Sequence, residues 1–136
     1  MNLTPAVLVV ALYAGLNGLI LIWLAVNVGR LRGRLKIGMG DGGDPAMVRA
    51  MRGQANFVEY VPFVLAQMTL MALIGTPAWV LHLFGIALTL GRLVHGWHFV
   101  QGDAPGWQRG MGASLTMVVL IGASLGLIAH ALVGML

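Results

Sequence analysis

From Pro62 to Gly91 the chain runs without a single Asp, Glu, Lys or Arg. A helix rising ~1.5 Å per residue needs about 20 apolar residues to cross a hydrocarbon core ~30 Å thick. The charge-free stretch exceeds one such crossing, and Gly75, Thr76 and Pro77 divide it with the residues of a tight turn. Two apolar helices joined by an uncharged turn belong in lipid. Composition extends this conclusion to the whole chain. Hydrophobic residues make up 59% and charged residues 9%, with a mean hydropathy of +0.89, whereas a soluble protein carries roughly 25% charged residues to cover its surface.

The 136 residues suffice for one domain over positions 1–136. The run Pro5 to Val28 is of membrane length and lacks both the basic start and the small-residue cleavage site of a signal peptide, so it reads as a retained helix. Asp44 as N-cap and Pro45 at the first position open the next helix. The expected fold is all-α: an integral membrane four-helix bundle with helices over about 5–29, 46–74, 78–100 and 107–133. The second is too long for the bilayer alone, so its first two turns should protrude. Asn17 is expected to hydrogen-bond across a helix interface, and the glycines within the helices allow close backbone approach.

The eight Lys and Arg residues fall in three places: Arg30 to Lys36, Arg49 with Arg52, and Arg92 with Arg109. A nucleic-acid surface would need a soluble, polar scaffold, which is absent. The positive-inside rule accounts for the pattern, with the connections after the first and third helices cytoplasmic and both termini on the other side. Asp41, Asp44, Glu59 and Asp103 then lie towards the cytoplasmic face too. Any chemistry is expected there.

Arg52, Asn56 and Glu59 stand at i, i+4 and i+7, one face of a helix, with Gln54 and Tyr60 to either side. Arg92, His95 and Phe99 share a face of the third helix, and Arg109 begins the fourth. Arginine forks bind carboxylates, a glutamate binds an ammonium, and amides satisfy a peptide, so this set suits a small zwitterionic, peptide-like ligand. On spacing alone the simpler reading is a structural Arg52–Glu59 ion pair holding a helix interface, and Arg109 can equally be an interfacial anchor. A buried carboxylate in an apolar setting is costly and needs a partner. No metal site is expected, because His95 and His98 lack a third ligand at matching depth. The chain has no cysteine, so thiol chemistry requires a thiol brought by a substrate.

The segment RGQANFVEYVPFVLA, Arg52 to Ala66, resembles the signature of the MAPEG family, the membrane-associated proteins in eicosanoid and glutathione metabolism. It is similar to the R-x-Q-x-N-x-x-E-Y-x-P form of the leukotriene synthase branch, and Arg92 to His95 resembles the R-x-x-H of the prostaglandin E synthase branch. The resemblance implies a homotrimer binding glutathione, as co-substrate, between neighbouring subunits near the cytoplasmic face. Arg52, Gln54, Asn56, Glu59, Tyr60, Arg92 and His95 would bind glutathione. Arg109 matches the arginine that stabilises the thiolate, and Arg30 the basic residue ending the first helix, with Arg32 and Arg34 as alternatives for that register. Phe99 stands where several members carry a tyrosine.

The resemblance thus implies a glutathione-dependent transferase or peroxidase of the microsomal glutathione transferase type, in a bacterial inner membrane, acting in detoxification on lipophilic electrophiles or hydroperoxides dissolved among the lipids. The brevity of the chain argues against a dedicated eicosanoid substrate. The alternative is a non-catalytic trimer that binds glutathione or lipid. A transporter using Glu59 as a proton-linked carboxylate is disfavoured, because the distal helix halves carry almost nothing ionisable.

Overall fold

A computed structural model describes residues 4–102 and 105–136. It contains four helices: α1 (Pro5–Leu35), α2 (Pro45–Leu73), α3 (Ala78–Val100) and α4 (Gly106–Gly134). Each is long and apolar enough to cross a membrane. Short connections alternate their direction, so the α1–α2 and α3–α4 connections share one end of the bundle. Asp103, expected at that end, lies outside the described residues.

Local chemistry sets the helix ends. Asp44 Oδ1 accepts from the backbone N–H groups of Ala46 and Met47 at 2.8 and 3.0 Å, satisfying two donors that α2 itself leaves free. Gly75, at φ +91, makes the left-handed step after α2 that a side chain would resist. The helix α1 continues well past the expected end near residue 29. Leu31, Leu35 and Ile37 pack on a small cluster of Val28, Met47 and Ala50, so the apolar spacing persists among the arginines. The helix stops at Lys36, which adopts a left-handed conformation while its N–H returns to Arg32 O.

The helices α2 and α3 form the centre, each packing on α1 and α4, while α1 and α4 do not touch among the described residues. The core between them holds Phe57, Val61, Val64, Met68, Leu81, Leu88, Val119 and Ala123. Leu8, Leu12, Leu19, Leu125, Ile128 and Leu132 point outward, as lipid-facing positions would. Polar cross-links join the helices inside. Asn17 donates to Thr89 Oγ1 at 2.9 Å and to Tyr13 O, the interface role expected of it. Gln67 donates to Ser124 Oγ at 2.7 Å. Such bonds are worth on average ~0.6 kcal/mol in a membrane, enough to fix helix rotation without dominating stability.

Candidate functional site

At the end shared by the α1–α2 and α3–α4 connections, α2, α3 and α4 part around a cavity of about 360 Å³. Each helix supplies residues one turn apart: Arg49, Arg52 and Asn56 from α2, His95 and Phe99 from α3, Arg109 and Ala113 from α4. Two glycines make this geometry. A Cβ on Gly53 would lie 2.5 Å from Phe99 Cβ, and one on Gly112 would lie 2.5 Å from both Gly91 O and His95 Cβ. Their bare backbones let α3 press into α2 and α4, carrying His95 and Phe99 into the space between.

Arg49 is held rigidly. Its Nε donates to Gln101 O at 3.0 Å, a terminal nitrogen donates to His98 O, and the guanidinium carbon lies 5.7 Å from the Phe99 ring centre. Phe99 in turn stacks on His95, with ring centres 4.9 Å apart. All of these partners are neutral, so they order the Arg49 cation without cancelling it.

Arg92 is 1% exposed. Its Nη1 donates to Asn56 Oδ1 at 2.8 Å, and its guanidinium carbon lies 5.7 Å from the Tyr60 ring centre, a cation–π contact. A guanidinium can only donate, so the Asn56 atom facing it must be the oxygen. The Asn56 amide nitrogen is thereby left to acceptors other than Arg92, on a residue that lines the cavity. Three arginines, Asn56 and His95 line a space whose lining includes no carboxylate among the described residues. Such a lining selects an anion carrying several acceptor oxygens.

The structure therefore brings Arg52, Asn56, His95 and Arg109 to one cavity, with Arg92 and Tyr60 packed in sequence against Asn56. It does not bring the other candidates there. Gln54 is half-buried away from the cavity. Arg30 lines a separate cleft with Asn27, Leu31 and Arg34. Glu59 is exposed on the single chain, not buried, and Arg52 is exposed too. The shared face of these two residues is turned about 150° from Phe57 by helical geometry, and Phe57 faces the core. The expected intrahelical pair gives way to Asn56 and Arg92, on different helices.

Arg49 was not among the expected site residues. It lies one turn before Arg52, and extending the polar stripe of α2 backwards by three residues reaches it. Ala113 carries no chemical signal, and only the packing reveals it. Among the described residues, no three His, Cys, Asp or Glu side chains gather as metal ligands.

Comparison with known proteins accords with this architecture. Inner membrane protein YecN of Escherichia coli K12 is 39% identical over 92 residues, covering 68% of this chain and 70% of that protein. Its counterpart in Escherichia coli O6:H1 gives the same values. The MAPEG family model matches residues 10–129. With that match over most of its length, the chain belongs to the MAPEG family and is a membrane protein of that family.

Proposed function

We propose that this protein is a glutathione-dependent transferase or peroxidase that works as a homotrimer on lipophilic substrates. The observation that carries the reading is the cavity lined by Arg49, Arg52, Asn56 and Arg109, with no carboxylate among the described residues, beside membrane-length apolar helices. Glutathione presents two carboxylates and a thiol, and this cavity offers cations and an oriented amide to match them. A free thiol of pKa ~8.5 is mostly protonated at neutral pH, and a guanidinium beside it favours the thiolate. Arg109, on the first turn of α4 and at the cavity wall, is the residue assigned that task. His95 and Phe99 shape the opposite wall.

In a transfer reaction the thiolate sulfur forms a bond to an electrophilic carbon while a leaving group departs or a strained ring opens. In peroxide reduction the thiolate takes one oxygen of the O–O bond and an alcohol leaves with a proton. A second glutathione then converts the sulfenic acid to the disulfide and water.

Assembly is supported by the exposed Arg52 and Glu59 on α2. A carboxylate facing lipid costs several kcal/mol, on the order of +2.5–3.5 on insertion scales, a cost that another copy covering this face would remove. A neighbour would then meet Glu59, Gln54 and Arg30, which the single protomer leaves outside the cavity. The basic α1–α2 connection supports a cytoplasmic placement for this end, in a bacterial inner membrane with both termini opposite.

A second reading is favoured by Phe99, which brings a ring without a hydroxyl to the cavity wall. On that reading the trimer binds glutathione and does not turn it over. Glutathione added to the detergent-purified protein at neutral pH separates the two. A saturable ultraviolet thiolate band that disappears in Arg109→Ala supports the enzyme. Binding without the band supports the non-catalytic protein, and no binding sinks both.

A further inference from the structure

On the opposite side of Arg49 and Phe99 from the candidate site lies a second, smaller cleft of about 140 Å³, between the end of α1, the start of α2 and the end of α3. Arg49 and Phe99 line both spaces. The polar groups of the second cleft are Asn27 and Arg34 on α1, Arg49 on α2 and Gln101 after α3. Asn27 and Arg34 are seven residues apart, two helical turns on one face. Leu31 and Val100 provide an apolar wall.

Three observations separate this cleft from an ordinary row of topogenic arginines. Arg32, in the same run, is used structurally: it donates to Gly40 O at 2.8 Å and contacts Met51 Sδ. Arg34 instead turns into the cleft, towards the space that Arg49 borders. Arg49 is fixed by His98 O, Gln101 O and the Phe99 ring, so its position is set in advance of any ligand. Among the described residues, the carboxylates nearest in sequence are committed elsewhere, Asp44 to the α2 cap and Asp41 to the N–H of Gly43. No carboxylate lines the cleft among the described residues.

The depth is that of the membrane surface, because the apolar run of α1 ends at Val28 and Asn27 stands at its last turn. Two arginines from different helices, an amide and an apolar wall at this depth match a phosphodiester with acyl chains attached. Basic pockets between transmembrane helices on the cytoplasmic side bind anionic headgroups.

We propose that this cleft is a binding site for the phosphodiester headgroup of an anionic phospholipid, held by Arg34 and Arg49 with Asn27 and Gln101 as neutral partners. An adjoining cleft of about 220 Å³ shares Asn27, Leu31 and Arg34 and gives the rest of the headgroup room. The bound phosphate braces the Arg49–Phe99 wall that the two spaces share.

The test is native mass spectrometry of the full chain in detergent, titrated with phosphatidylglycerol or, in parallel, phosphatidylcholine. Phosphatidylglycerol should bind at least about tenfold more tightly, and Arg34→Gln should remove most of that preference. Lys36→Gln removes the same charge two residues away, beyond the end of α1, and should change affinity less than about twofold. Thermal melting of each variant establishes that it is folded before binding is compared. Equal binding of the two lipids, or an equal effect of the two substitutions, overturns the proposal. Displacement of the lipid by inorganic phosphate at comparable concentration overturns it as well, since the site would then belong to a soluble phosphate compound.

Discussion

Arg92 Nη1 meets Asn56 Oδ1 at 2.8 Å, and this bond between α3 and α2 commits the oxygen of an amide that lines the cavity. The Asn56→Asp substitution keeps an acceptor for Arg92 but replaces the N–H₂ of this cavity-lining residue with a carboxylate oxygen. Hydrogen bonds involving charged groups are worth ~1.5–3 kcal/mol, so glutathione binding should fall roughly ten- to hundredfold. Thermal stability should hold or rise, because a buried cation gains a counter-charge. Calorimetric titration and melting of the same preparation check both halves of the expectation.

Arg109 and Arg52 both border the cavity, yet the proposed mechanism assigns them different tasks. Arg109→Ala should leave the glutathione Kd within about threefold and lower turnover ~10²–10³-fold, the range for removing one donor aimed at a developing or stored negative charge. Arg52→Ala should instead raise the Kd about tenfold or more. Equal losses of binding in the two variants would remove the division of labour.

Residues within one helix were easier to read from sequence than residues across helices. The charge-free run and the Gly75–Thr76–Pro77 turn gave two helices, Asp44 and Pro45 gave the α2 start, and Asn17 could be expected to bond to another helix. Periodicity is a property of a single element, however. It groups Arg52 with Asn56 and Glu59 on one face, but that face's orientation is set by α2 packing through Phe57, Val61 and Val64. Hence the Arg92 partnership, the exposure of Glu59 and the separate cleft of Arg30 emerged only with the helices docked. The continuation of α1 to Leu35 was masked because the basic residues ended the apolar run while Leu31 and Leu35 still had a surface to cover.

Glycine positions offer a contrast within one residue type. Gly112→Ala places a methyl group 2.5 Å from Gly91 O and His95 Cβ, both parts of the α3 backbone region that cannot swing aside. Overpacking of this kind costs ~1–3 kcal/mol and should displace His95 from the cavity. Gly15→Ala meets nothing within 4 Å and should stabilise α1, by up to about 1 kcal/mol from helix propensity. Melting temperatures of the two variants should therefore move in opposite directions.

Glu59 is exposed on the protomer and sits seven residues, two turns, beyond Arg52. In the proposed trimer it pairs with the glutathione ammonium at a subunit boundary. Glu59→Gln should weaken glutathione binding about tenfold, the ~1.4 kcal/mol expected when one charge-assisted bond becomes neutral. Light scattering of the wild-type protein should give a protein mass of three copies. A monomeric particle that binds glutathione fully would sink the subunit-boundary site.

Phe99 tests whether the cavity supports turnover or binding alone. Its ring lies between Arg49 and His95, while Gly53 meets its Cβ, so the side chain is fixed at its base and flanked by polar groups. Phe99→Tyr adds a hydroxyl to a ring already at the cavity wall, and the base contact with Gly53 is unchanged. If the second substrate is activated by proton donation, kcat for a lipophilic electrophile should rise with little change in the glutathione Kd. A general acid contributes about 10²–10⁴-fold where it is correctly placed, so even imperfect placement should be visible. An unchanged kcat in an active wild-type enzyme would assign the second-substrate chemistry to groups other than this ring. Activity appearing only in Phe99→Tyr would identify the native protein as the non-catalytic binder.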